Sequence, residues 1–153
     1  MMTGKRNSRE IGYSNRQQGE TTQNLVANRM KQLGFEAVEM IETGWKVLWK
    51  GKKPIKAWPT HKVMGDIRAV LPGGRAVLVE VKSHKDRLPF SAIKQHQVKN
   101  LNLYAKIGAV ALLAWVDNEI YIMQWPIPNF GPRKSIRPEM ARRLAITSLD
   151  DLK

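Results

Sequence analysis

The chain contains no cysteine, which excludes a disulfide framework and any thiolate metal site. It also lacks a long hydrophobic run. The longest, Ile107 to Val116, is too short to span a bilayer as a helix. The first residues are polar and basic, with no apolar stretch of the signal-peptide kind, so a soluble protein of the cytoplasm is expected. Phosphate-cradling glycine loops are missing too. Gly73-Gly74 is too short and runs into a strand, so no nucleotide cofactor is indicated. His61, His84 and His96 are not at metal-ligand spacing and read as structural or surface residues. No internal repeat is visible. Acidic residues are scarce: 13 Asp and Glu stand against 26 Lys and Arg, a formal charge of +13 in 153 residues. That imbalance points to a polyanionic partner, nucleic acid ahead of an anionic membrane. The length fits one domain with a real core.

What is present centres on residues 65–82. Two runs rich in Val, Ile, Leu and Ala flank Pro72-Gly73-Gly74, a turn signal, and predict a β-hairpin. Alternation along the second strand sends Val77, Val79 and Val81 to one face and Leu78, Glu80 and Lys82 to the other. In the first strand Asp66 and Arg68 share a face. Directly opposed residues of an antiparallel pair also share a face. A loop of three or five residues would therefore set Asp66 across from Lys82 or Glu80. Two carboxylates and a lysine then converge, which is what hydrolysis with Mg²⁺ requires: hard oxygen ligands, plus a cation near the attacking water. The plainer reading is an Asp at a turn entry and a Glu-Lys pair on a solvated edge strand. Leu78 on the same face argues against that exposure.

The flanking segments give the rest of the architecture. Residues 1–18 are rich in Gly, Asn, Ser, Gln and Arg and read as a basic disordered arm carrying Lys5, Arg6, Arg9 and Arg16, either a solubilising tail or an arm that folds onto phosphates. Glu20 to Leu33 predicts the first helix, with Val26, Met30 and Leu33 at helical spacing, Leu25 widening the stripe, and Gly34 as the stop. On spacing alone Glu20 merely complements the helix dipole. Phe35 to Ile41 predicts a strand with Phe35 and Ala37 inward, Val38 and Met40 being further candidates. Residues 44–62 then form a basic Lys/Trp hairpin. Trp45, Trp49 and Trp58 interleave with Lys46, Lys50, Lys52, Lys53, Lys56 and Lys62, a pattern suited to phosphate contact and base stacking, with at least one Trp expected in the core.

Beyond the central hairpin, Ser91 is the expected N-cap of a helix running to about Lys106. Ile93, Gln97, Leu101 and Tyr104 share one face of it, which leaves Gln97 as a polar group on an apolar stripe that needs a partner. Ala109 to Trp115 predicts a fully buried central strand and Glu119 to Trp125 the next one. Pro126 to Pro138 reads as a basic surface loop opening a C-terminal extension, residues 126–153, with a short helix over Glu139 to Ile146.

Taken together, Gly65-Asp66 followed after thirteen residues by Glu80-Val81-Lys82 resembles the PD-(D/E)xK nuclease superfamily. The Gly19-Glu20 helix ending Leu33-Gly34-Phe35 looks like the start of archaeal-type Holliday-junction resolvases of the Hjc kind. Phe90-Ser91 through His96-Gln97 to Gly108 is similar to a helix of the RecU-type resolvases. The resemblance implies a restriction-endonuclease-like α/β domain over residues 19–125, with a mixed central sheet flanked by helices. It implies that Asp66, Glu80 and the Val81 carbonyl hold Mg²⁺, with Mn²⁺ able to substitute, and that Glu20 approaches the metal. Lys82 would position or polarise water, and Gln97 would support Lys82. A homodimer cutting branched DNA by paired nicks follows, in recombination or repair, in a bacterial cell or encoded by its phage. Gly in place of Pro before Asp66 is one departure. The Lys/Trp hairpin is another, with no archaeal-type counterpart. The alternatives are another nuclease of the same fold (flap, single-strand or restriction type) or a non-catalytic basic DNA-binding protein, with an RNA-associated basic protein behind both.

Overall fold

The computed structural model describes residues 8–41, 45–59 and 64–153, without the side chains of 8–20, 45, 46, 58 and 59. At its centre is β7 (Val110–Val116), seven residues long and buried throughout. It pairs in parallel with β5 (Ala76–Ser83) and antiparallel with β8 (Ile120–Gln124). A strand apolar on both faces needs cover on both, and the order β1-β4-β5-β7-β8 supplies it, with β1 (Glu36–Met40) and β4 (Ile67–Val70) completing a five-stranded mixed sheet. One face packs on α1 (Ser8–Leu33) through Val26 and Met30, with Ile67, Val79 and Leu112 among the facing residues. The other packs on α2 (Gln95–Lys106) and α3 (Pro138–Leu144) through Leu101 and Ala141 against Leu113, Trp115 and Met123. The expected mixed sheet flanked by helices is the architecture found.

Local differences have physical causes. The first helix begins at Ser8, not Glu20, so residues 8–18 are helical where composition predicted a disordered arm; residues 1–7 lie outside the described residues. Leu25 stays 46% exposed instead of widening the apolar stripe. Strand β1 carries a bulge between Glu36 and Glu39, with Ala37 at φ 48°, and this turns Ala37 and Met40 outward. Ser91 does not cap α2. Phe90–Ala92 form a 3-10 turn, Ile93 is extended, and Lys94 is the N-cap residue. Its N–H donates to Gln97 Oε1 at 3.0 Å.

The segment read as a surface loop, 126–138, is tied to the core. Ile127 and Ile136 are buried, and β9 (Ser135–Ile136) pairs antiparallel with β6 (Leu88–Pro89). The Lys/Trp hairpin forms as expected, from β2 (Trp45–Lys50) and β3 (Lys53–Pro59), as a separate two-stranded sheet. Trp49 there is 58% exposed, while Trp115 and Trp125 fill the core. Whether Trp45 or Trp58 is buried lies outside the described residues.

Candidate active site

The pairing of β4 with β5 runs Ile67 with Val79, Arg68 with Leu78, Ala69 with Val77 and Val70 with Ala76. Residues 71–75 therefore form a five-residue loop, closed by a Leu71 N–H bond to the Arg75 carbonyl at 2.8 Å. Asp66 stands just before β4: its N–H donates to the Val79 carbonyl at 2.9 Å, and its carboxyl meets that of Glu80 in a side-chain hydrogen bond, with Leu78 and Lys82 on the same face of β5 as Glu80. Ile67, Val77 and Val79 occupy the other face, in the core against α1.

Asp66 is held from several sides. Its Oδ2 accepts the Val81 N–H at 2.8 Å, and its Oδ1 accepts from Gln23 Nε2 at 3.3 Å. In a strand the N–H and C=O of one residue face the same side, so the Val81 carbonyl also looks toward Asp66. Glu80 is almost fully buried, at 2% exposure. Burial, followed by the adjacent Asp66 charge and a side-chain hydrogen bond to Asp66, pushes its carboxyl up to about 8. Lys82 and a hydrogen bond from the Gly65 N–H oppose that rise. The Lys82 ammonium donates to Gln97 Oε1 at 2.7 Å. Burial pushes its pKa below the ordinary lysine value, against the attraction of Glu80 and Asp66 and with the help of Lys94.

Gly65 makes this approach possible. It sits at φ +78°, and a Cβ there would overlap Leu78 Cδ1 and crowd the Val79 carbonyl. Its position just before Asp66 is therefore a packing requirement that the sequence only marked as a departure from proline.

The structure thus brings together Asp66, Glu80, Val81, Lys82 and Gln97. It adds Gln23, Gly65 and Lys94, which were missed. Gln23 lies on α1 three positions after Glu20 and its amide reaches Asp66; that spacing was readable. Lys94 was legible only as a basic residue three before Gln97. The Glu20 side chain lies outside the described residues. Among the surface cations, Lys50, Lys52, Lys53 and Lys56 are exposed on the β2–β3 hairpin, a sheet separate from the five-stranded one that carries Glu80. Lys5, Arg6 and Lys62, and the side chains of Arg9, Arg16 and Lys46, lie outside the described residues.

Among the described residues no cluster of three or more His, Cys, Asp or Glu forms a ready-made metal cage. The oxygen-only donor set still fits a hard divalent cation. Two carboxyl groups share a hydrogen bond, with Glu80 buried and its pKa raised first by that burial and then by Asp66, and the Val81 backbone beside them. A cation there would remove the repulsion that raises the Glu80 pKa. Among the described residues no helix is long and apolar enough to cross a membrane.

No protein-family model matches the chain, and no curated protein matches it either. Among solved structures, the chain is similar to Hjc from Archaeoglobus fulgidus, a Holliday junction resolvase from an archaeal hyperthermophile. The TM-score is 0.53 with 17% identity, over 84% of this chain and 92% of that one. At that identity the likeness is one of fold, and it agrees with the restriction-endonuclease-like core expected from the sequence.

Proposed function

We propose that this protein is a metal-dependent endonuclease that hydrolyses DNA phosphodiester bonds, with four-way junctions as its substrate and a homodimer as its working form. The observation that carries the reading is the convergence of Asp66, Glu80 and Lys82 beside the β4–β5 hairpin, with Lys82 fixed by Gln97. The likeness in fold to an archaeal junction resolvase supports the choice of substrate. Junction resolution needs two symmetric cuts, which a two-fold dimer provides.

In this reading Asp66, Glu80 and the Val81 carbonyl hold Mg²⁺, with Glu20 approaching from α1 and Mn²⁺ able to substitute. The ion, when bound, would supply Lewis-acid stabilisation of charge developing on the scissile phosphate. Lys82 does two things. Its Nζ, oriented by Gln97 Oε1, positions a water for in-line attack. Its charge offsets that of the phosphate, and burial makes it easier than usual for this amine to give up a proton. The product carries a 5′-phosphate. Gln23 holds the second face of Asp66 so that its carboxylate keeps one orientation. The exposed lysines of the β2–β3 hairpin, with Lys46, Lys62, Lys5, Arg6, Arg9 and Arg16, contact backbone phosphates, and the +13 charge makes binding strongly salt-dependent.

The test is cleavage of a labelled four-way junction beside duplex, flap and single-strand controls, with Mg²⁺ and with chelator, for the wild type and Asp66→Asn. Paired symmetric nicks lost in the variant are expected. Cutting of another substrate retires the junction reading and keeps the site. Tight binding without cleavage under several divalent metals would replace the enzyme with a DNA-binding module.

A further inference from the structure

The small ribbon β6–β9 places two arginines in an arrangement that the fold itself does not need. Its register pairs Leu88 with Ile136 and Pro89 with Ser135, and it continues to Phe90, whose N–H donates to the Lys134 carbonyl at 3.0 Å. Arg87 and Arg137 are the residues that flank the Leu88–Ile136 pair, just outside the two strands: the Arg87 N–H donates to the Lys85 carbonyl, and Arg137 opens α3. Leu88 and Ile136 are buried in the core, and both arginines are exposed. Two like charges brought together at one end of a two-stranded ribbon repel each other.

No carboxylate relieves them. Among the described residues the ion pairs are Arg68 with Glu39 and Arg142 with Glu119. Other arginines also have partners: Arg75 donates to the Gly108 and Lys153 carbonyls, and Arg29 to Gln32. Asp86 and Glu139 flank the pair in sequence, and neither forms an ion pair with it among the described residues. Asp117 Oδ2 is engaged by the Asp86 N–H. The pair is not on loose chain either. The turn before β6 is pinned by Trp115 Nε1 on the His84 carbonyl at 2.9 Å and by that Asp86–Asp117 bond, and Arg137 is the N-cap residue of α3.

The segment carrying Arg87 is also tethered to the candidate site at both ends. Residues 83–86 separate it from Lys82, a reach of at most about 18 Å. On its far side, Lys94 lies close enough to Lys82 to affect its charge, and Gln97 accepts from both the Lys94 N–H and Lys82 Nζ.

We infer that Arg87 and Arg137 form a phosphate-binding clamp for the DNA strand that runs through the carboxylate centre, gripping a backbone phosphate to one side of the cut. The clamp rests on the nuclease reading for its location and not for its chemistry. Two exposed guanidinium groups beside one paired ribbon suit a phosphate diester, and the strand supplies the negative charge that relieves the pair. It works from the side of the fold that carries α2 and α3, and so adds a contact separate from the β2–β3 hairpin.

The test is binding of the full chain to a labelled four-way junction and to duplex in chelator, over a range of salt. Arg87→Gln/Arg137→Gln is compared with the equal-charge control Lys31→Gln/Lys106→Gln, after melting curves show all three proteins folded. The wild-type slope of log K against log salt should fall in magnitude by about two in the clamp variant and by much less in the control. Affinity near physiological salt should drop at least tenfold in the clamp variant. Equal slopes in the two variants overturn the clamp, whatever the cleavage assay gives. Loss of slope in the clamp variant, together with a wild type that cuts nothing in Mg²⁺, keeps the clamp and removes the nuclease reading.

Discussion

Replacing Glu80 by glutamine should make the metal-free protein more stable. The carboxyl is buried, and its pKa is pushed from the ordinary 4.5 to about 8. A carboxyl whose folded pKa is raised contributes its full stability below the ordinary value and loses it as pH climbs toward the folded one. Between pH 4.5 and 8 the wild type therefore weakens steadily, because the unfolded chain releases a proton that the folded chain keeps. At pH 7 the difference amounts to at most about 3 kcal/mol, taking 1.36 kcal/mol per pKa unit.

Glutamine has the same shape and no charge to desolvate. Its amide can donate to Asp66 and its carbonyl can still accept from Gly65. In chelator the variant should melt above the wild type at pH 7, by at most roughly 6–12 °C at the usual 2–4 °C per kcal/mol for a chain this size. At pH 4.5 the two should coincide. Millimolar Mg²⁺ should raise the wild-type Tm and leave the variant's unchanged. Calorimetry across pH 4.5 to 8, with and without metal, reads both effects. A variant no more stable than the wild type at pH 7 in chelator would mean that Glu80 is not held neutral, and the argument for a cation between the two carboxylates would go with it.

Gly65→Ala should cost about 2–4 kcal/mol in urea unfolding, since it combines a left-handed backbone with overlap on Leu78; a shift below 0.5 kcal/mol would refute the packing argument. Lys82→Ala should lower kcat by roughly 10²–10³ with junction affinity little changed, and Gln97→Leu should fall in the same direction by less, read in single-turnover cleavage. Leu112→Ala, at the centre of the sheet, should lose about 3–5 kcal/mol by chemical denaturation. Trp49→Ala, more than half exposed on the hairpin, should stay within about 0.5 kcal/mol of the wild type in the same assay.

The candidate site was legible because each of its parts has a local signature. Alternation over residues 76–83 put Glu80 and Lys82 on one face, and the length of the Pro72-Gly73-Gly74 loop left only two registers for Asp66. Gln97 was marked by a polar group on an apolar helical stripe. The buried β7 followed from an unbroken apolar run. These signals hold because the periods of strand and helix are set by backbone geometry, which sequence carries position by position. The length of α1 was misread because residues 8–18 have little apolar content, and composition alone argued for an arm.

What only the tertiary structure decided concerns contacts between segments far apart in the chain. The meeting of the Asp66 and Glu80 carboxyls, the hold of Gln23 on Asp66 across 43 positions, and the pairing of β6 with β9 that brings Arg87 near Arg137 all depend on which surfaces meet. So does the high pKa of Glu80, which depends on desolvation by neighbours that the strand itself does not encode. Sequence alone determined the chemistry available to this protein, since residue type and period are local. Where that chemistry converges, and how strongly each charge feels the others, was settled by packing, because burial and distance exist only once the chain has closed on itself.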